Sequence, residues 1–260
     1  MPLTYTKYLQ IEELLTLQQP LSEDPEHDEM LFIITHQVYE LWFKQIIHEL
    51  ADFQSALEQQ NLPIALRNLK RVLHILKVLV AQMDIIETLS PISFRAFRDR
   101  LESSSGFQSA QFREIEFMLG RRNPKVLVHY PEGGPTRKHL EALLRQPSLW
   151  DTFLACLNSN GYRIPESELS RDISTPPELN EEVQQQLIAI YRDEPLLTQL
   201  CEHLIDLDEG LQEWRYRHIK MVERTIGNKI GTGGSSGTDY LYRTLLAPLF
   251  PDLWAIRNKL

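Results

Sequence analysis

Basic charge is in short supply. The 260-residue chain has 27 Lys and Arg against 36 Asp and Glu, a formal net charge of −9. Nucleic-acid binding rests on neutralising phosphates with a basic face, and polybasic attachment to anionic lipid needs the same excess. Neither partner is expected. Cysteine is almost missing: Cys156 and Cys201 form no CxxC and no zinc spacing. That excludes a disulfide scaffold and predicts two reduced, buried thiols. Long hydrophobic runs are missing too. The stretch Val72 to Val80 is broken by His74 and Lys77, far short of a membrane span. The first residues, MPLTYTKYLQIEELL, carry Lys7, Glu12 and Glu13 and no apolar signal core, so a cytoplasmic protein is expected. Period-two alternation is nearly absent, which predicts no sheet of consequence.

What is present is a 42% hydrophobic chain, ample for a core, with apolar residues recurring at three and four. Helices are predicted over about 28–57 (Met30, Leu31, Ile34, Val38, Leu41, Trp42, Ile46, Leu50), over 63–89 (Leu66, Leu69, Leu73, Leu76, Val80, Met83, Ile86), over 91–101 and over 107–119. Further helices are predicted near 136–145, 147–158, 178–192 and 195–227. Residues 120–135 read as an irregular surface connection, and 159–178, with three prolines, as a long loop. The expected fold class is all-α: a single domain over 1–260, its long helices packed as a bundle.

The histidines are the first candidates for chemistry. No HExxH occurs, and His36 with Glu40 one turn on is a weak metal signal. His74, between apolar neighbours, reads as a structural histidine, and His129 and His139 as surface residues. His36 sits in LFIITHQVYELW, apolar on nearly every side, so it is buried or lines a cavity. His218 falls on the apolar stripe of Trp214, Met221, Val222 and Ile226. An imidazole on such a stripe is either a satisfied core residue or an axial haem ligand, and spacing leaves both open. Arg215, Arg217, Lys220 and Arg224 on the same helix form a solvated face or pair with propionates. Arg98 precedes a Ser/Gly loop, a placement that suits a carboxylate ligand or a surface salt bridge.

Five of the 11 glycines fall in IGNKIGTGGSSG. Such backbone permits close approach to a ligand or a closing lid. No P-loop occurs. GxGxxG is broken at Ser236, and GxSxG at 233–237 follows a helix, where a nucleophile elbow needs a strand.

Four stretches carry a resemblance: TYTKYLQIEELL, HDEMLFIITHQVYELWFKQIIHEL, FRAFRDRLESSSGFQSAQFREIEFMLG and WRYRHIKMVERTIGNKIGTGGSSGTDYL. Together they cover about a third of the chain, and the sequence resembles the tryptophan 2,3-dioxygenase family. The resemblance implies an all-α protein with one haem b per subunit, ferrous when active, in a homotetramer built as a dimer of dimers. It implies insertion of both atoms of O₂ across the indole C2–C3 bond of L-tryptophan to give N-formyl-L-kynurenine. It makes His218 the axial ligand of the haem iron, with Trp214, Ser105 and Gly106 beside the cofactor. It makes His36 the histidine near the indole N–H, Arg98 the carboxylate grip and Thr232 the residue near the ammonium group. Phe32, Phe94, Leu101 and Ser105 are implied as pocket lining. Tyr5, Tyr8 and Leu9, within residues 1–20, are implied to complete a neighbouring subunit's pocket. Residues 120–200 match little, and the chain is shorter there than typical members. Two other readings stand beside this one: a related haem enzyme acting on a substituted indole or another aromatic amino acid, and a non-catalytic haem or tryptophan sensor. Intact His36, Arg98 and Thr232 weigh against the sensor.

Overall fold

Three long helices organise the molecule. The computed structural model describes residues 2–102, 104–227, 241, 242 and 245–260. After two short turns of helix, α1 (Tyr5–Leu9) and α2 (Ile11–Leu14), come α3 (His27–Glu58) and α4 (Leu62–Ile86). Then follow α5 (Pro91–Arg98), α6 (Ala110–Met118), α7 (Pro135–Leu143), α8 (Leu149–Ser159), α9 (Glu166–Leu169) and α10 (Glu181–Asp193). The last two are α11 (Pro195–Ile226) and α12 (Pro251–Ala255). No strand occurs among the described residues, and the all-α expectation holds.

The helices start where the chain offers caps. The Asn61 side chain accepts from the Ile64 N–H, with Pro63 in the first turn of α4. Ser90 caps α5 ahead of Pro91, and Ser109 caps α6. Ser148 and Asp151 form a reciprocal capping box on α8. Pro195 opens α11, and Gly227 ends it at φ +65°, a left-handed backbone that suits glycine.

α4 packs against both α3 and α11, α6 and α8 lie on α3, and α10 joins α11 to α12. Leu50, Phe53, Leu69, Phe97, Trp150 and Leu204 are fully buried in the main core. Two side-chain bonds cross between α3 and α4. The Tyr39 hydroxyl donates to the Leu79 carbonyl at 2.7 Å, and Gln82 donates to the Thr35 carbonyl at 3.0 Å. They fix how the two helices sit along each other. Burial pushes the Tyr39 phenol up to about 12.

The core face of α3 differs from the sequence expectation. Thr35, Tyr39, Phe43, Ile46, Leu50, Phe53 and Leu57 are buried, whereas Met30, Ile34 and Leu41 are exposed. A helix apolar all round gives no phase from periodicity alone, so the neighbours decide it. His74 is exposed and bonds the Lys70 carbonyl of its own helix, so it is not a core histidine. His129 and His139 are exposed, as expected.

Residues 120–135 are more than a surface connection. A 3₁₀ turn over Pro124–His129 buries Val126 and Leu127, which join Phe117, Tyr130, Leu140 and Leu144 in a second, smaller core. Within 159–178 only the short α9 forms. That loop is pinned by Arg171, which pairs with Asp151 at 2.7 Å. Cys156 and Cys201 are buried free thiols; burial pushes Cys201 up to about 12.

Candidate functional site

α3, α4, α5, α6 and α11 line one cavity of 340 Å³, in the range of small-molecule sites. Its walls include Tyr39, Phe43, Met83, Ile86, Phe94 and Phe112. Both candidate histidines open onto it. So do Arg98, Ser105, Gly106 and Trp214, and the Met221–Val222–Ile226 stripe of α11. The sequence stripe through His218 therefore faces a cavity rather than a packed core.

His36 is oriented by its own helix. Its Nδ1 lies 2.7 Å from the Phe32 carbonyl oxygen one turn back. A carbonyl only accepts, so Nδ1 carries the proton and Nε2 keeps its lone pair for the cavity. The ring opens onto the cavity space, yet desolvation by the surrounding protein holds its pKa below the usual value. That outweighs the opposite pull of the Phe32 carbonyl and Glu40. His218 lies parallel to the Trp214 indole, with ring centroids 5.5 Å apart and an interplanar angle of 4°. Burial, with a smaller contribution from His36, lowers its pKa to about 4. Both imidazoles are thus neutral near pH 7, and a neutral imidazole is the form that ligates a metal.

Trp214 is held in turn. Tyr39, Phe43 and Phe112 surround it at centroid distances of 6.3, 6.3 and 5.1 Å, spacings at which aromatic rings attract. Its indole Nε1 is buried without a hydrogen-bond partner. Behind His36, Phe32 packs at 4.1 Å and contacts Phe94 and Phe97.

A group that sequence reasoning named only through Arg215 completes the site. Arg113 and Arg215 both pair with Glu116, Arg215 at 3.1 Å. All three are buried and line the cavity with Arg121 and Asn123. Arg113 also lies over the Phe107 and Phe112 rings. Burial lowers the Arg215 pKa to about 10 despite the pairing with Glu116. The solvated-face reading of Arg215 is therefore wrong. It is right for its helix neighbours: Arg217 pairs with Asp84 and Glu87, Arg224 with Glu87, and Lys220 with Glu223. Arg113 and Glu116 stand three apart on α6, a spacing common on helix surfaces. Nothing in the sequence showed that α11 would bury them.

Of the implied lining residues, Phe94 and Ser105 are in the wall. Phe32 stands behind His36, and Leu101 packs against the core; neither is in the wall. Tyr5, Tyr8 and Leu9 are exposed and contribute nothing to this chain's own cavity. Thr232 and most of the glycine run lie outside the described residues. The Glu40 carboxylate, one turn on from His36, accepts from Gln111 at 2.7 Å, and no cluster of three metal-ligating side chains occurs among the described residues. No helix of the described residues is long and apolar enough to cross a membrane.

Fold and cavity together define a class: a helical protein that encloses a small-molecule site between two neutral histidines and a buried arginine cluster. A family model described as tryptophan 2,3-dioxygenase matches residues 1–137 and 181–260. A tryptophan 2,3-dioxygenase of Herpetosiphon aurantiacus is 56% identical over 258 residues, covering 99% of this chain and 98% of the relative. One from Anaeromyxobacter sp. (strain K) is 54% identical, covering 99% and 96%, and one from Bacillus cereus is 44% identical, covering 99% and 93%. The chain belongs to the tryptophan 2,3-dioxygenase family and is an oxidoreductase of the dioxygenase type. The family model leaves 138–180 unmatched, inside the region where the sequence motifs ran out.

Proposed function

We propose that the cavity binds haem b and L-tryptophan together and that the chain carries out the oxygen insertion of its family, giving N-formyl-L-kynurenine. The observation that carries this reading is the pairing of two neutral histidines on one aromatic-walled cavity with buried guanidiniums beside them. The residues fit the cofactor. His218 offers a neutral imidazole, the walls suit an apolar disc, and the Arg113–Glu116–Arg215 cluster with Arg121 suits its carboxylates. The Arg113 Nε is buried with no partner, and an unmet buried charged donor is costly unless a ligand meets it. Trp214 and the Ser105–Gly106 backbone lie beside the same space.

When bound, the haem supplies the O₂ chemistry from ferrous iron. The protein supplies orientation. Arg98, at the end of α5, presents a planar fork to the substrate carboxylate, and the family resemblance assigns Thr232 to the ammonium group. His36 accepts from the indole N–H through Nε2, which the Phe32 carbonyl keeps unprotonated. It orients the ring and need not remove the proton. Phe94 and the apolar walls exclude water and hold the indole against its reaction partner, the proximity contribution to rate.

The same reading places the enzyme in the cytoplasm as a homotetramer. The exposed Tyr5, Tyr8 and Leu9 and the exposed Met30, Ile34 and Leu41 of α3 support burial between subunits, with residues 1–20 reaching a neighbour's pocket. Two variants test the residue roles. His218→Ala loses haem. Arg98→Ala keeps haem and raises KM for tryptophan by about tenfold or more, the loss of a charge-assisted bidentate contact. A haem-replete His218→Ala protein removes the ligand assignment, and an unchanged KM removes the carboxylate assignment.

A further inference from the structure

Two guanidiniums, of Arg113 and Arg215, meet on the Glu116 carboxylate at one stretch of the cavity wall. Glu116, on α6, takes one N–H from Arg113 on its own helix and one from Arg215 on α11. Both arginines and the glutamate are at least nine-tenths buried. Arg121 is close enough for its charge to oppose that of Arg215. Glu116 therefore joins two cations that would repel each other across the α6–α11 gap. It occupies an Nη of each, leaving the Arg113 Nε buried without a partner. A buried pair normally satisfies its charges internally. Here the Arg113 Nε stays outside that pairing.

We propose that Glu116 is a positioning residue: it holds the Arg113 and Arg215 forks in place so that the cavity selects a planar ligand with ionised carboxylates over the same ligand with its carboxylates masked. The inference rests on the haem reading above and assigns a job to a residue that touches neither the metal ligand nor the substrate-binding groups. Preorganised donors bind an anion without the cost of reorganising at the moment of binding. Freed from Glu116, the two guanidiniums separate and turn to other partners. The added positive charge does not compensate, because the donors no longer converge.

The test uses metal-free protoporphyrin IX, which removes ligation by His218 from the measurement, and its dimethyl ester, which keeps the disc and masks both carboxylates. Binding of each to the full chain is titrated by fluorescence. The wild-type protein binds the free acid at least tenfold more tightly than the ester. Glu116→Gln weakens free-acid binding about tenfold and leaves ester binding unchanged, so the ratio falls towards one. An unchanged ratio in Glu116→Gln, or tighter free-acid binding, overturns the proposal. A wild type that binds both forms alike overturns the proposal and the carboxylate part of the haem reading together; one that binds neither overturns the haem reading itself. If Glu116→Gln loses both ligands through misfolding, Glu116→Asp decides. It keeps the charge and shortens the reach by one methylene, so a lowered ratio supports the proposal and a wild-type ratio overturns it.

Discussion

Glu29 is 2% exposed, and burial alone would raise its pKa. The Leu21 and Ser22 N–H groups donate to it at 2.7 and 3.0 Å, and the Ser22 hydroxyl donates as well. These bonds win, and the carboxyl sits below its ordinary value. They tie the segment before α3 onto the helix that carries His36. Because the folded pKa is depressed, the stabilisation is complete above the unfolded value near 4.5 and is lost as pH falls through the folded one. Glu29→Gln is expected to cost about 1–3 kcal/mol at neutral pH. Denaturant unfolding of both proteins across pH checks this: the gap closes as pH drops below about 4.5, and a gap independent of pH contradicts it. At this scale the sequence showed the polar residues but not their partners. His36 and Arg98 stand in motifs with a resemblance to carry them. Arg113, Glu116 and Arg215 acquire their meaning only when α6 meets α11, 99 positions apart.

Among the elements, the ends of helices were legible and their faces less so. Pro63, Pro91 and Pro195 open helices where expected, and Gly227 closes α11. Their signals are local, a fixed φ or a missing N–H. The face of α4 was legible in part: Leu69, Leu76, Met83 and Ile86 are buried and Arg67, Lys70, Arg71 and Lys77 exposed, but Leu66, Leu73 and Val80 are only half-buried, while Val72, Ile75 and Leu79 complete the buried face. α3 was not, because both of its sides are apolar. The 3₁₀ turn at Pro124–His129 was missed because it has no helical period to read.

The docking of the last helix could not be read either. It depends on Asp208 of α11, which is 1% exposed. Asp208 accepts from the Leu249 N–H at 2.8 Å, the Phe250 N–H at 3.4 Å and the Trp254 indole N–H at 2.8 Å. Asp208→Ala leaves these donors buried and unmet, at a cost on the order of 4 kcal/mol. Hydrogen exchange checks where the loss falls: protection around residues 249–256 should collapse before that of α3 and α4.

For the whole molecule, the first helices stand apart from the core. α1 and α2 bury no residue, and Leu3, Tyr5, Tyr8, Leu15 and Leu17 are strongly exposed. Apolar side chains displayed this way fit a partner surface. Removing residues 1–10 should therefore raise KM for tryptophan several-fold and shift the oligomeric state seen by light scattering, while the melting temperature of the bundle moves little. A truncated chain with wild-type KM contradicts the shared-pocket reading.

The most direct measurement joins cavity, cofactor and substrate in one reaction. The full chain is loaded with haem, reduced, and given L-tryptophan under ¹⁸O₂, and the product is weighed by mass spectrometry. A dioxygenase with these residue roles yields N-formylkynurenine carrying both labelled atoms from one O₂. Recovery of unchanged tryptophan, or a product with a single labelled oxygen, contradicts it.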